Sequence, residues 1–297
     1  MKKTAILLFA ASIFGLTSCD IGSGDTTQSM SYGVINLVSP TDGTTPSASV
    51  GWYNLEFNFT QNNVTVSLKD LVIDNVTHTL VTEPLSYTGS QAGDLITIKD
   101  FSGYLDNNQS LPITNASFEV STRTYPYPNT DGSVSTTSTY GFAVVLASYD
   151  IGTRYKVKTF YPDVCYNGTT TTQYPNIDGT TSTFSNGDII YRVVFQQDLK
   201  KANVAIYNAK FAEAAPTLGC ITLEDLNVRY YTGGYELSGE NIVPKVVEGG
   251  ASTPNEKYTF NSFKLTPSGN LTDAIIEYTV ADVYKGYFRG SYIKSAN

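Results

Sequence analysis

Residues 64–73 read "VTVSLKDLVI". Apolar side chains alternate through Val64, Val66 and Leu68, Asp70 then falls on the apolar phase, and the pattern resumes one step later at Leu71 and Ile73. Period-two alternation marks a strand with one buried face, and a one-residue slip marks a bulge, bend or strand end. The figure recurs elsewhere. Val204 and Ile206 precede Asn208, and Ala209 and Phe211 follow. Ile96 and Ile98 precede Asp100, then comes Phe101, while Ile221 and Leu223 precede Asp225, then comes Leu226. An unpaired inward carboxylate costs several kcal/mol, so the backbone is expected to turn each of these side chains toward water or free N–H groups.

The surrounding chain is rich in Thr, Tyr, Val, Ile and Phe in short runs broken by Gly, Asn, Asp and Pro. That is the signature of an all-β protein. Sliding the sequence by 136–138 positions lays "YNLEF" (53–57) on "YRVVF" (191–195) and Val66 and Leu68 on Val204 and Ile206. With a drifting offset, "ITIKDF" (96–101) meets "ITLEDL" (221–226), and "SFEVS" (117–121) meets "SFKLT" (262–266). "VV" (144–145) then meets "II" (275–276), and "RYKV" (154–157) meets "VYKG" (283–286). Matches in constant order predict two tandem copies of an antiparallel β-domain, each of roughly 110–135 residues and large enough for its own core. The expected division is β-domain 1 at 33–165, a Thr/Gly/Asn-rich linker at 166–186, and β-domain 2 at 187–297, the last folding alone. Seven or eight strands per copy fit a closed meander barrel or, alternatively, a β-sandwich.

Three similar phrases punctuate the chain: "SPTDGTT" (39–45), "YPNTDGS" (127–133) and "YPNIDGT" (174–180). Each precedes a strand. Asp-Gly suits a tight turn, because Gly accepts positive φ and Asp bonds its own backbone. A calcium loop would need regularly spaced oxygen ligands and a later bidentate Glu, which none of the three supplies.

The N-terminus combines a basic "MKK", the apolar run "TAILLFAASIF" and "GLTSC". These are the parts of a signal peptide, expected at 1–18. Leu16-Thr17-Ser18-Cys19 resembles the lipobox of bacterial lipoproteins, here of Bacteroidota type. The resemblance implies lipidation of Cys19, a lipidated tether at 19–32 and an outer-membrane location, with surface exposure left open. Several acyl chains, at roughly 0.8 kcal/mol per buried CH₂, make a stable anchor. Asp25-Thr26-Thr27 resembles the O-glycosylation tripeptide of the same phylum.

The net charge of −8 becomes −10 once Lys2 and Lys3 leave with the signal. Such a chain has no basic face for phosphate backbones, so nucleic acid is not an expected partner. Cys165 and Cys220 remain after Cys19, either bridged or as buried thiols. His78 is the single histidine, and the chain carries no Gly-x-Ser-x-Gly, HExxH, P-loop or dinucleotide fingerprint. No cofactor and no metal is expected.

The "ITIKDF"/"ITLEDL" strands, the hairpin "RYYTGGYEL" (229–237) and the closing Tyr/Lys strands resemble the calycin-like (lipocalin-like) barrels of small Bacteroidota lipoproteins. The resemblance implies a non-catalytic envelope protein whose β-domains bind a glycan or a small apolar molecule. A structural or adhesive surface protein is the alternative, and a glycoside hydrolase using paired carboxylates a further one. Tyr clusters stand at 125–127, 155–161, 230–235 and 284–292. Tyr230, Tyr231 and Tyr235, brought together by a TGG turn, are the expected ligand contacts, with Asp100 and Asp225 beside them.

Overall fold

A computed structural model describes residues 28–41, 49–59, 63–73, 76–82, 84–86, 96–106, 108–128, 134–248, 251–268 and 271–292. The signal expected at 1–18, Cys19, and the Asp-Gly pairs at 42–43 and 131–132 lie outside these residues. The first half contains β1 (Gln28–Pro40), β2 (Ser49–Phe59), β3 (Asn63–Ile73), β4 (Val76–Thr82), β5 (Leu85–Ser86), β6 (Ile96–Leu105), β7 (Asn108–Pro128), β8 (Val134–Ile151) and β9 (Tyr155–Phe160). The second contains β10 (Asp163–Pro175), β11 (Thr181–Phe195), β12 (Lys201–Ala209), β13 (Leu218–Tyr231), β14 (Gly234–Ile242), β15 (Lys245–Glu248) and β16 (Ala251–Pro254). A single 3₁₀ turn (Glu256–Tyr258) leads to β17 (Phe260–Pro267), β18 (Asp273–Val280) and β19 (Tyr284–Tyr292).

Both sheets close. In the nine-stranded sheet β1 bonds to β2 and β9, and β2 bonds to β3, so the strands other than β5 form a ring of eight. In the ten-stranded sheet β10 bonds to β11 and β19, and β12 bonds to β13, so the strands other than β15 and β16 form a second ring of eight. Every pairing is antiparallel and nearly all join ring neighbours in sequence. These are two up-and-down barrels, not sandwiches.

Counting strands around each ring tests the repeat. "YNLEF" and "YRVVF" lie on second strands, "VSLKDLVI" and its counterpart on third strands, and "SFEVS" and "SFKLT" on sixth strands. The remaining two phrases lie on seventh and eighth strands. "ITIKDF" is the exception: it is a fifth strand, whereas "ITLEDL" is a fourth. Their likeness reports a shared local device, a bulge, rather than an equivalent place.

The division between copies falls earlier than the composition implied. The first barrel begins at Gln28, inside the expected tether, and its last strand ends at Phe160. Residues 166–186 are not a linker but most of β10 and the start of β11, and they read as polar because this hairpin overhangs the barrel with one side exposed. A chain starting at 187 would lack the strand that closes the second ring.

The four polar breaks do sit at irregularities. The β3–β4 register shifts between Leu68 and Leu71, around Asp70, and the β6–β7 register between Lys99 and Phe101, around Asp100. Asn208 and Asp225 both have φ of 58°, and the β12–β13 register shifts opposite Asp225. The buried face flips after each described break: from Leu68 to Leu71, from Ile206 to Ala209, and from Leu223 to Leu226.

The second barrel is filled. Tyr166, Tyr191, Phe260, Phe263 and Phe288 are fully buried within it. Each such ring contributes roughly 1.5–3 kcal/mol by leaving water. Tyr191 and Phe288 rings lie 4.6 Å apart, and a Cβ on Gly286 would overlap the Tyr278 ring. The phenol of Tyr191 meets Thr170 Oγ1 at 3.4 Å, and burial pushes the Tyr278 phenol up to about 12.

Outside the barrel wall Cys165, Ile190, Tyr207 and Cys220 form a small second cluster, joined by Val247 of β15. Both cysteines are buried, and neither is in a disulfide. They stand on β10 and β13, with β11 and β12 between, a separation of about 14 Å at the usual 4.7–4.9 Å strand spacing, beyond disulfide reach.

The barrels meet wall to end. Ile35, Leu37 and Phe160, from β1 and β9, belong to the core of the second barrel, while Val34, Asn36 and Val38 face the other way. Burial on both faces explains why "VINLV" is apolar on both phases apart from Asn36, whose Oδ1 accepts from Thr159 Oγ1. Phe160 packs on Phe195 (5.6 Å) and Tyr235 (5.4 Å), Trp52 Nε1 donates to Gln197 O (2.7 Å), and Gly233 N donates to Ser39 Oγ (3.2 Å). One end of the second barrel is thereby covered by the side of the first.

Candidate functional site

The other end of the second barrel carries the turns between β10 and β11, β12 and β13, and β18 and β19. Phe211 lies at its centre. Because the backbone of Asn208 reverses the facing of β12, Phe211 points inward, where its ring is within 6.0–6.3 Å of Phe260, Tyr278, Tyr284 and Tyr258. Tyr284 in turn lies 5.9 Å from Tyr174. Phe211 is buried, whereas Tyr258 and Tyr284 beside it, and Tyr174 and Phe184 on the β10–β11 hairpin, are half-buried. Lys210 Nζ lies 5.1 Å from the centre of the Phe184 ring, and Lys257 Nζ lies 5.5 Å from that of Tyr258.

Local chemistry fixes each ring. Tyr258 ends the 3₁₀ turn, capped by Asn255 Oδ1 accepting from Lys257 N (3.1 Å), and Thr259 Oγ1 donates to Glu256 O (2.7 Å). Tyr284 follows a turn in which Ala281 and Asp282 take positive φ, and Asp282 N donates to Asn261 Oδ1 (2.8 Å). Tyr174 precedes the tip "PNIDGT". There Asp178 Oδ1 accepts from Thr180 N (2.9 Å) and Thr180 Oγ1 (2.6 Å), and these bonds hold its carboxyl below the usual range. Asn176 N donates to Thr180 O (2.7 Å), and the tip presents Ile177 fully to solvent. The Asp-Gly phrase is a hydrogen-bonded turn, as expected of this sequence.

The residues singled out from sequence do not converge. Tyr235 is fully buried, its phenol 3.3 Å from that of Tyr166, and it belongs to the contact between barrels. Tyr230, its cross-strand partner, donates to Leu199 O (3.0 Å). Tyr231 is half-buried on the opposite face of β13, with Arg229 6.0 Å from its ring centre. The TGG turn pairs 230 with 235, but it turns them inward. Asp225 is exposed on the outer wall: Gln196 Nε2 donates to its Oδ1 (2.8 Å), and its own N donates to Asn203 Oδ1 (3.0 Å). Asp100 stands on the first barrel, in β6. His78 Nδ1 lies 2.7 Å from Asp106 Oδ2, whose Oδ1 accepts from Thr79 N; that backbone bond first, and His78 second, lower the Asp106 carboxyl. Among the described residues no group of three or more His, Cys, Asp or Glu side chains could hold a metal.

Sequence inspection passed over Phe184, Phe211 and Tyr258 because they are far apart in the chain and isolated within it. The available signal was positional: all flank turns at one end of the ring.

No family model matches the chain, and none of the curated proteins matches it. Among solved structures it is similar to the isotype 1 transferrin binding protein B from serogroup B Neisseria meningitidis, at 11% identity and a TM-score of 0.25. The match covers 81% of this chain and 66% of that one, so the chain spans just under two thirds of that protein's length. A superposition this weak carries no weight for fold or ligand.

Proposed function

We propose that the protein is a non-catalytic, lipid-anchored envelope protein that binds a glycan at the far end of its second barrel. The observation that carries this reading is the group of half-buried rings at that end, outside a barrel already filled by its own side chains. Half-buried rings, here tilted by 32–51° with centroids 5.9–6.1 Å apart, can meet the apolar C–H faces of sugar rings, while Lys210, Lys257 and the phenols supply hydrogen bonds. A filled interior favours a surface ligand over a small apolar molecule held inside this barrel. Lipidation of Cys19 would hold the protein at the membrane and leave this end free.

Glycan-array binding of the signal-free protein, compared with Tyr284→Ala and Tyr258→Ala, tests the site. Binding reduced tenfold or more in both variants is expected. Equal binding by all three proteins would place the ligand elsewhere, and release of shortened sugars would replace binding with hydrolysis. Separately, Cys19→Ser should abolish acyl labelling and release the protein from membranes, and unchanged membrane retention would overturn the anchor.

A further inference from the structure

The β10–β11 hairpin is held unequally along its two edges. On the β10 side, bonds to β19 continue out to Gln173, opposite Lys285. On the β11 side, pairing with β12 begins only at Ile190, so Thr181–Ile189 extend beyond the last strand partner on that edge. Two side-chain bonds bridge the gap. Asn186 Nδ2 donates to Asn208 O (2.8 Å), and Asn208 Nδ2 donates to Asp188 O (3.0 Å). The β10–β11 register shifts beside them, between Gly168 and Thr170. Asn208 also holds the positive φ after which Phe211 faces inward.

We infer that Asn208 is the positioning residue of the distal site. Its backbone places the Phe211 floor, and its amide fastens the overhanging hairpin that carries Tyr174 and Phe184. Asn suits both tasks, because it enters the left-handed region more readily than other side chains and its amide both donates and accepts. A side-chain bond of this kind is small against the stability of a barrel but sufficient to bias one hairpin edge. A ligand lying across Tyr284 and Tyr174 would meet a fixed wall rather than one that must be ordered on binding, which lowers the cost of association. This role in binding rests on the glycan reading; the fastening of the hairpin does not.

The test uses Asn208→Gly, which keeps the backbone conformation, alone and combined with Asn186→Ala. Amide exchange is followed by NMR, with the contact between the Tyr174 and Tyr284 rings followed by NOE. Exchange at Thr181–Asp188 should accelerate at least tenfold in the double variant and the NOE weaken, with β17 and β18 unchanged. Unchanged exchange in that segment, or equal acceleration throughout the barrel, overturns the inference. Cellohexaose, maltoheptaose and chitohexaose serve as binding probes. If one binds the wild type, its affinity should fall at least threefold in the double variant; looser exchange with undiminished affinity overturns the positioning role. If none binds the wild type while the exchange result holds, the fastening stands and binding of these glycans fails.

Discussion

Phe160 of the first barrel stacks on Tyr235 of the second, with ring centroids 5.4 Å apart and planes 25° from parallel. Phe195 meets the same tyrosine edge-on at 5.0 Å. This trio continues the second barrel's core into the wall of the first, so the barrels share buried surface rather than merely touching.

Phe160→Ala should therefore lower stability by about 3–5 kcal/mol, as expected of an emptied buried ring. Urea unfolding should show one transition in the wild type and two, or one broadened one, in the variant. An equally sharp single transition with an unchanged midpoint would show that the barrels are not coupled through this ring.

Fragments give an independent reading. A chain of residues 163–297 retains all eight strands of the second ring, whereas 187–297 loses β10 and the start of β11. The longer fragment should show cooperative β-sheet unfolding by circular dichroism, weakened by its uncovered Tyr235, and the shorter should not. Cooperative folding of 187–297 would mean that the ring closes without β10.

Glu236 sets a response to acid. Lys264 Nζ lies 2.8 Å from its carboxylate and Arg229 Nη2 3.3 Å, and the Lys264 bond first, with Arg229 assisting, lowers its folded-state pKa from 4.5. A group depressed in the folded state stabilises it above the unfolded pKa, and that contribution is lost as the pH falls through the folded value. Glu236→Gln should be less stable than the wild type at pH 7, with the difference shrinking below about pH 4.5. A difference constant between pH 7 and pH 3 would remove the ion pairs from the account.

Asp225 should behave as a backbone residue. With φ of 58°, it occupies a region where most L-residues lose about 1–2 kcal/mol. Asp225→Ala should cost about that much in thermal or urea denaturation, and Asp225→Gly less, with glycan-array binding unchanged in both. Lost binding at wild-type stability would return Asp225 to the ligand site.

The fold was legible because alternation and its interruptions are local. Asp70, Asp100, Asn208 and Asp225 could each be read as a break from the residues on either side. Ring position is not local, so "ITIKDF" and "ITLEDL", alike in their bulges, were matched across a fifth and a fourth strand. Burial misled in the other direction. The polar run 166–186 looked like a joint, although each of its strands is bonded to a neighbour. Tyr230 and Tyr235 looked like a surface platform because a tight turn was visible and the wall it leans against was not. The distal rings gather through closure of the barrel, which no short stretch of sequence reports.

Closure of the second barrel against the side of the first also imposes an order on biogenesis. The chain is made from its N-terminus, so Ile35, Leu37 and Phe160 exist before the residues that will cover them. Tyr235 lies seventy-five positions after Phe160, a delay of roughly 4–15 s at about 5–20 residues per second of synthesis. During that interval a folded first barrel would carry an uncovered apolar stripe on its outer wall. Export in an unfolded state, if the proposed signal directs it, would avoid that exposure, and a chain arrested after β9 would be the species most in need of a chaperone.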